Sequence, residues 1–196
     1  LETQIREALR IPSEGGANDP LRAERPSAPE FRGITIDGEK IESTSFRGRP
    51  MLLVFFLHTC PHCHHMLEFL KKQLPRIPAA QRPVLIGVSV SDERTEVRAQ
   101  MKSDGLDYFP ILVDPDLKIR EAYGVIAGVP DLFLIGADEK IQARTKGWRD
   151  DRDPPLLEMR LATLVGLPVP MLLHKTGYSG NEFCSVCHTQ QQDTCC

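Results

Sequence analysis

A chain of 196 residues, 41% hydrophobic and 26% charged, has the length and composition of one well-packed globular domain with extensions. Its net charge of −3 excludes the basic footprint of a nucleic-acid binder and gives no reason to expect an anionic membrane surface as partner. The longest apolar run, Met51 to Leu57, has the length of a strand and falls short of the roughly 20 residues of a membrane-spanning helix.

The chain begins at Leu1, as it would after removal of a signal peptide, although an artificial boundary would look the same. Residues 1–30 read as an N-terminal extension. Leu1, Ile5 and Leu9 have helical spacing, and a stretch rich in Pro, Gly and Ser follows. From Phe31 the pattern becomes regular. "ITIDGEKI" predicts a β-hairpin turning at Asp37-Gly38. "PMLLVFFL" predicts a buried strand. "CHHMLEFLKKQL" predicts a helix with Met66, Leu67, Leu70 and Leu74 on its apolar face, closed by Pro75. "RPVLIGVSV" predicts a second strand, covered on both faces. "SDERTEVRAQMKSDG" predicts a helix capped by Ser91 and stopped at Gly105.

"FPILVD" predicts a short strand and "PDLKIREAYG" a short helix ending at Gly124. "VPDLFLIG" and "KIQARTKGW" read as two antiparallel strands around Ala137-Asp138. "DPPLLEMRLATLVG" reads as a final helix with prolines in its first turn and Gly166 behind it. This order predicts an α/β domain over residues 31–166, with a mixed central sheet flanked by helices. Residues 167–196 lack periodicity and read as a linker with the start of a further segment.

Six cysteines are too few and too clustered for a disulfide scaffold of this size. Four fall in two C-x-x-C units, and Cys195 and Cys196 are adjacent at the chain end, exposed to intermolecular oxidation. The first pair, Cys60 and Cys63, lies where the predicted buried strand feeds a helix. Free backbone N–H groups and the positive end of the helix dipole favour a thiolate at Cys60. Cys63, one turn in, can close a disulfide with it and is more covered. Pro61 suits the first helical position, where its missing N–H costs nothing. His62 lies between the sulfurs in sequence and adds a further stabiliser of the thiolate. A stabilised thiolate also favours the reduced form, so the motif allows an oxidising disulfide. The alternatives are a structural disulfide and a zinc or copper site drawing on His58, His62, His64 and His65. On a helix His62, His64 and His65 point in different directions, and His64 and His65 read as solvated surface residues.

The segments "APEFRGITIDGEKI", "FRGRPMLLVFFLHTCPHC", "VLIGVSV" and "FPILVDPDLKIREAYGVIAGVPDLFLIGADEKI" together resemble thioredoxin-fold proteins of the TlpA/ResA (AhpC/TSA–Redoxin-like) type. The resemblance covers about Ala28 to Val165. It implies a thioredoxin fold and an extracytoplasmic, periplasmic thiol-disulfide oxidoreductase that needs no cofactor. Its partners would be protein thiols or disulfides, apocytochrome c among them, and a membrane or periplasmic redox partner. It implies that Cys60 attacks and Cys63 resolves. It also implies that Pro130 is preceded by a cis peptide bond and faces the pair, and that Thr59 and Val129 belong to the substrate groove. Three departures stand out. Val54 occupies a position where many thioredoxins carry a buried Asp. Met66 stands where reducing members often carry Glu, and Glu68 nearby faces elsewhere. Thr59 replaces the usual Trp. The C-P-H-C motif itself is that of periplasmic disulfide oxidases, so the flanks and the motif lean in opposite redox directions.

The second pair, in "CSVCH", matches the attachment motif for c-type haem: Cys184 and Cys187 would form the thioethers and His188 would ligate the iron. Met171 and His174 are candidates for the other axial ligand. The chain ends eight residues after His188, which points to a truncated cytochrome segment. One consequence is that Cys60 and Cys63 act on Cys184 and Cys187, held close by covalent linkage. The rival reading is an electron-transfer c-type cytochrome whose thioredoxin-like part is a docking or relay module. A visible spectrum of the purified full chain separates the two. A strong Soret band marks the cytochrome, and its absence marks the thiol enzyme.

Overall fold

The computed structural model describes residues 25–126 and 128–168. One seven-stranded sheet runs through it in the order β2-β1-β5-β4-β3-β6-β7. The strands are β1 (Arg32–Thr35), β2 (Lys40–Glu42), β3 (Met51–Phe56), β4 (Val84–Ser89), β5 (Ile111–Val113), β6 (Asp131–Ile135) and β7 (Ile141–Lys146). The helices are α1 (Pro61–Gln73), α2 (Arg94–Ser103), α3 (Lys118–Ala122) and α4 (Asp153–Leu164). β3, β4 and β5 are parallel, and β1, β2, β6 and β7 complete a mixed sheet by antiparallel pairing.

β3 sits inside the sheet, and residues 52–56 are 0% exposed. A strand covered on both faces has no use for alternating polarity, which is why "MLLVFF" reads as one apolar run. Its side chains still alternate. Leu52, Val54 and Phe56 face one layer, with Met66, Leu67 and Leu70 of α1, Val97 and Met101 of α2, and Leu157 and Leu161 of α4. Leu53 and Phe55 face the other, with Phe31, Ile119 and Tyr123. In that second layer Tyr123 and Phe133 pack edge to face, with ring centres 5.0 Å apart.

The predicted hairpin is present, with Gly38 at φ 92° in the turn and Ile34 paired to Lys40. α2 starts later than expected. Ser91 does not cap it: the helix begins at Arg94, and the Ser91 hydroxyl instead accepts the Glu93 N–H at 3.3 Å in the approach loop. At α3 a cap comes from outside the predicted helix. Asp114, 7% exposed, accepts the N–H groups of Ile119 at 3.2 Å and Arg120 at 2.9 Å. α4 starts with prolines in its first turn, and Gly166 follows it at φ 68°.

Gly87 on β4 is a packing requirement. A Cβ there would lie 2.6 Å from Phe109 Cε2 and 2.9 Å from Phe56 Cε1. Both rings belong to the core, so neither yields cheaply. Gly87→Ala is therefore expected to destabilise the protein by about 1–3 kcal/mol, read as a lower urea midpoint at unchanged slope.

Candidate active site

The parallel strands all point their C-terminal ends to one edge of the sheet, where connecting loops gather. β3 leaves the sheet after Phe56, whose carbonyl accepts the Val90 N–H at 2.9 Å. Five residues later α1 begins, with Cys60 as its extended N-cap (φ −88°, ψ 116°) and Pro61 in the first turn. The Cys60 carbonyl accepts the N–H groups of Cys63 at 3.1 Å and His64 at 3.2 Å. The Cys60 side chain is left at the positive end of the helix, partly exposed and making no capping bond.

Cys63 is buried against Val54, Met66 and the rest of the α1 layer. Burial pushes its thiol well above the ordinary value of 9.0. Contact with Cys60 adds to the rise, and a backbone hydrogen bond at Leu57 offsets part of it. The two thiols thus differ in access by construction: the first lies ahead of the helix and the second on its core face.

The opposite wall comes from β6. Asp131 pairs with Phe55 of β3, so the residues just before Asp131 fall at the edge where β3 releases the chain. The Val129-Pro130 peptide is cis and Pro130 is buried. The Val129 carbonyl lies 3.9 Å from Cys60 Sγ and accepts the thiol hydrogen. The Pro130 carbonyl accepts the Gly147 N–H at 2.7 Å, tying the loop to the end of β7. Cys60, Pro61, Cys63, Val129 and Pro130 are therefore brought together. Thr59 lies beside them, exposed, in the 57–60 loop. His62 is also exposed, and no hydrogen bond or ion pair holds it. Cys184, Cys187 and His188 lie outside the described residues.

The other histidines of the motif diverge. His58 is buried with Nδ1 unpartnered. His64 turns toward Asp104, and His65 Nδ1 donates to Asp150 Oδ2 at 2.7 Å. The expectation that both are solvated surface residues fails for His64, whose side chain is only 21% exposed and whose ring is hydrogen-bonded. His65 stays half exposed but is paired. Asp150 also accepts the Trp148 indole N–H at 2.6 Å, which links the first turns of α1 to the β7–α4 loop.

Sequence reasoning passed over a second feature, the charge that follows Pro130. Asp131 is 1% exposed and forms a two-pronged pair with Arg144 of β7, Nε to Oδ1 at 2.9 Å and Nη2 to Oδ2 at 2.5 Å. Arg144 Nη2 also donates to the Gly124 carbonyl at 3.2 Å, and its guanidinium lies 4.6 Å from the Phe133 ring centre. This pair clamps both ends of the loop that carries Ile126, which is 89% exposed, and the Val129-Pro130 peptide. A lone Asp inside an apolar strand was the available signal, because a buried carboxylate demands a partner. Removing the guanidinium strands that carboxylate. Arg144→Ala is expected to cost about 2–3 kcal/mol in chemical denaturation, and adding Asp131→Asn is expected to recover part of the loss.

Comparison with known proteins agrees with this architecture. The chain is 28% identical over 119 residues to the thiol-disulfide oxidoreductase ResA of Bacillus subtilis, covering 61% of this chain and 65% of that protein. It is 27% identical over 166 residues to the thiol:disulfide interchange protein DsbE of Vibrio cholerae, covering 79% and 87%. Among solved structures, a thioredoxin-family thiol:disulfide interchange protein of Chlorobium tepidum superposes with a TM-score of 0.60 at 24% identity, over 74% of this chain and 99% of that one. A secreted Mycobacterium tuberculosis disulfide oxidoreductase homologous to DsbE gives 0.58 at 22% identity, over 68% and 96%. The fold is thioredoxin-like. Residues 25–144, more than half of the chain, match the sequence profile of the AhpC/TSA family, and the chain belongs to that family.

Proposed function

We propose that this chain is a thiol-disulfide oxidoreductase working through Cys60 and Cys63. The observation that carries the reading is the asymmetry of the pair: Cys60 stands at the accessible N-cap of α1, 3.9 Å from the Val129 carbonyl, while Cys63 is sealed in the core. The curated relatives are named for the same chemistry. An extracytoplasmic setting fits the secreted structural relative, and among the described residues no helix is long and apolar enough to cross a membrane. Apocytochrome c thiols are the substrate class that the TlpA/ResA resemblance implies.

In the reducing direction the Cys60 thiolate attacks a substrate disulfide. A Cys60–substrate disulfide forms and one substrate sulfur leaves as a thiolate, taking up a proton. Cys63 then loses its proton and attacks Cys60 Sγ. The Cys60–Cys63 disulfide forms and the second substrate sulfur leaves, so the pair is oxidised by two electrons and the substrate is reduced by two. The oxidising direction is the reverse. Val129 and Pro130 form the wall along which an extended substrate chain would lie, with the exposed Thr59 and Ile126 offering further contacts.

The energetic difficulty lies at Cys63. Its thiol is pushed above 9.0, and its surroundings offer Val54 and Met66 where a carboxylate could have taken the proton. The fraction of thiolate at Cys63 therefore rises about tenfold per pH unit through neutrality and beyond pH 9. Resolution of the Cys60 mixed disulfide is expected to accelerate in step up to that pH, measured by stopped-flow with a preformed glutathione adduct.

Trapping tests the assignment directly. Cys63→Ser is expected to accumulate a mixed disulfide that maps to Cys60 by mass spectrometry, and Cys60→Ser to accumulate none. A Cys63→Ser variant that traps nothing on Cys60 would overturn it.

A further inference from the structure

β6 starts at Asp131, directly after Pro130, and runs antiparallel to β7 with Asp131 opposite Lys146, Leu132 opposite Thr145 and Phe133 opposite Arg144. Side chains alternate along a strand, so Asp131 and Phe133 share one face of the sheet. Arg144, across from Phe133, lies diagonally from Asp131 on that face. Its guanidinium lies over the Phe133 ring and reaches past it to the Asp131 carboxylate. The two hydrogens of Nη2 serve Asp131 Oδ2 at 2.5 Å and the Gly124 carbonyl at 3.2 Å, where the chain leaves α3. One side chain thus holds both ends of the segment 124–131.

That segment has little else to hold it. Its first backbone bond runs from the Val125 N–H to the Arg120 carbonyl at 2.9 Å, and its last from the Gly147 N–H to the Pro130 carbonyl at 2.7 Å. Between them Ile126, Gly128 and Val129 make no backbone–backbone hydrogen bond with another described residue. Val129 nevertheless carries the carbonyl that lies 3.9 Å from Cys60 Sγ. The place of that carbonyl depends on how the ends of the segment are held, and Arg144 spans them. A planar fork fixes direction as well as distance, with donors left over for the second carbonyl. An ammonium group in its place is a point charge: it neutralises Asp131 without reproducing the span.

We propose that Arg144 is a positioning residue for disulfide exchange: by holding Asp131 and Gly124 at once it keeps the Val129-Pro130 wall where a polypeptide bound at Cys60 needs it. The proposal rests on the reading of Cys60 as the attacking thiol with that wall beside it. A clamp of this kind does two separable things. Neutralising the buried carboxylate serves the stability of the fold. Holding the two ends of the segment serves the alignment of a substrate chain, and leaves the reactivity of the thiol to the start of α1.

Two probes separate these roles in a full-length chain that keeps Cys60 alone of its six cysteines, the others replaced by Ser. The first is a short peptide with apolar residues flanking a cysteine that carries thionitrobenzoate as a mixed disulfide. The second is the same disulfide on a single capped cysteine. In both, the Cys60 thiolate attacks the cysteine sulfur, a Cys60–cysteine disulfide forms, and the coloured thionitrobenzoate thiolate leaves. With Arg144 in place the peptide is expected to react faster than the single cysteine by about three- to tenfold, the worth of one or two backbone hydrogen bonds. Arg144→Lys is expected to lose most of that preference, while its rate with the single cysteine stays within about twofold of the parent. Arg144→Ala combined with Asp131→Asn, which leaves no buried carboxylate alone, is expected to do the same. If either variant melts cooperatively and keeps the preference, the pair only stabilises the fold and the proposal fails. It fails equally if the parent shows no preference for the peptide, or if both probes slow alike in the variants. A parent that does not react even with the single cysteine overturns the reading of Cys60 as attacking thiol, and the proposal with it.

Discussion

The whole site hangs on the register of β3 between its two neighbours. Along its length β3 pairs residue for residue with β4 on one side, and from Met51 to Phe55 with β6 on the other, and every one of its side chains is buried. A slip of one residue would turn Leu52, Val54 and Phe56 from the three-helix layer to the opposite one, so the register has no low-energy alternative. With the register set, the chain must leave the sheet after Phe56. Cys60 is thereby delivered to a helix start, and the pairing of Phe55 with Asp131 brings Val129 and Pro130 to the same edge. Thiol and wall meet because two strands are in step.

From that constraint the contrast between the cysteines follows. The helix repeat puts residues three and four apart on one face, so Cys63 shares the core face with Met66, Leu67 and Leu70, while Cys60, ahead of the helix, cannot. Burial then separates the chemistry of two identical side chains. One remains partly exposed, and the other is held as a thiol by its burial. The apolar wall of Val54 and Met66 makes this separation steeper than it would be with a carboxylate at either position.

Polar groups near the site are arranged so that each secures a loop. Asp131 and Arg144 clamp the loop ahead of β6, Asp150 joins Trp148 and His65, and His64 joins the cysteine loop to α2. None of these pairs is local in sequence except Trp148 with Asp150. Each adds a side-chain tie to a loop at the edge of the sheet, where backbone groups lack ladder partners. The thioredoxin-like frame is a matter of strand order and register, and these clamps hold its edge.

Much of the fold is legible in the sequence. Continuous apolar runs identified β3 and β4, the 3.6-residue spacing of Met66, Leu67 and Leu70 identified α1, and Asp37-Gly38 identified the hairpin, because these patterns are set by what the local chain can bury or turn. The same logic placed Cys60 at a helix start. It failed where several local signals competed: Ser91 was a good cap by type, but the chain from Ser91 to Glu93 makes its own turn first. It was blind where partners lie far apart in sequence. Nothing local links His65 to Asp150 or His64 to Asp104, and a histidine beside a cysteine motif looks alike whether it is solvated or braced. Local propensity and periodicity, which act over one or two turns of chain, thus determined the elements and the position of the thiols. Only the folded sheet, by bringing distant residues to one edge, decided which charges meet and what each thiol can do.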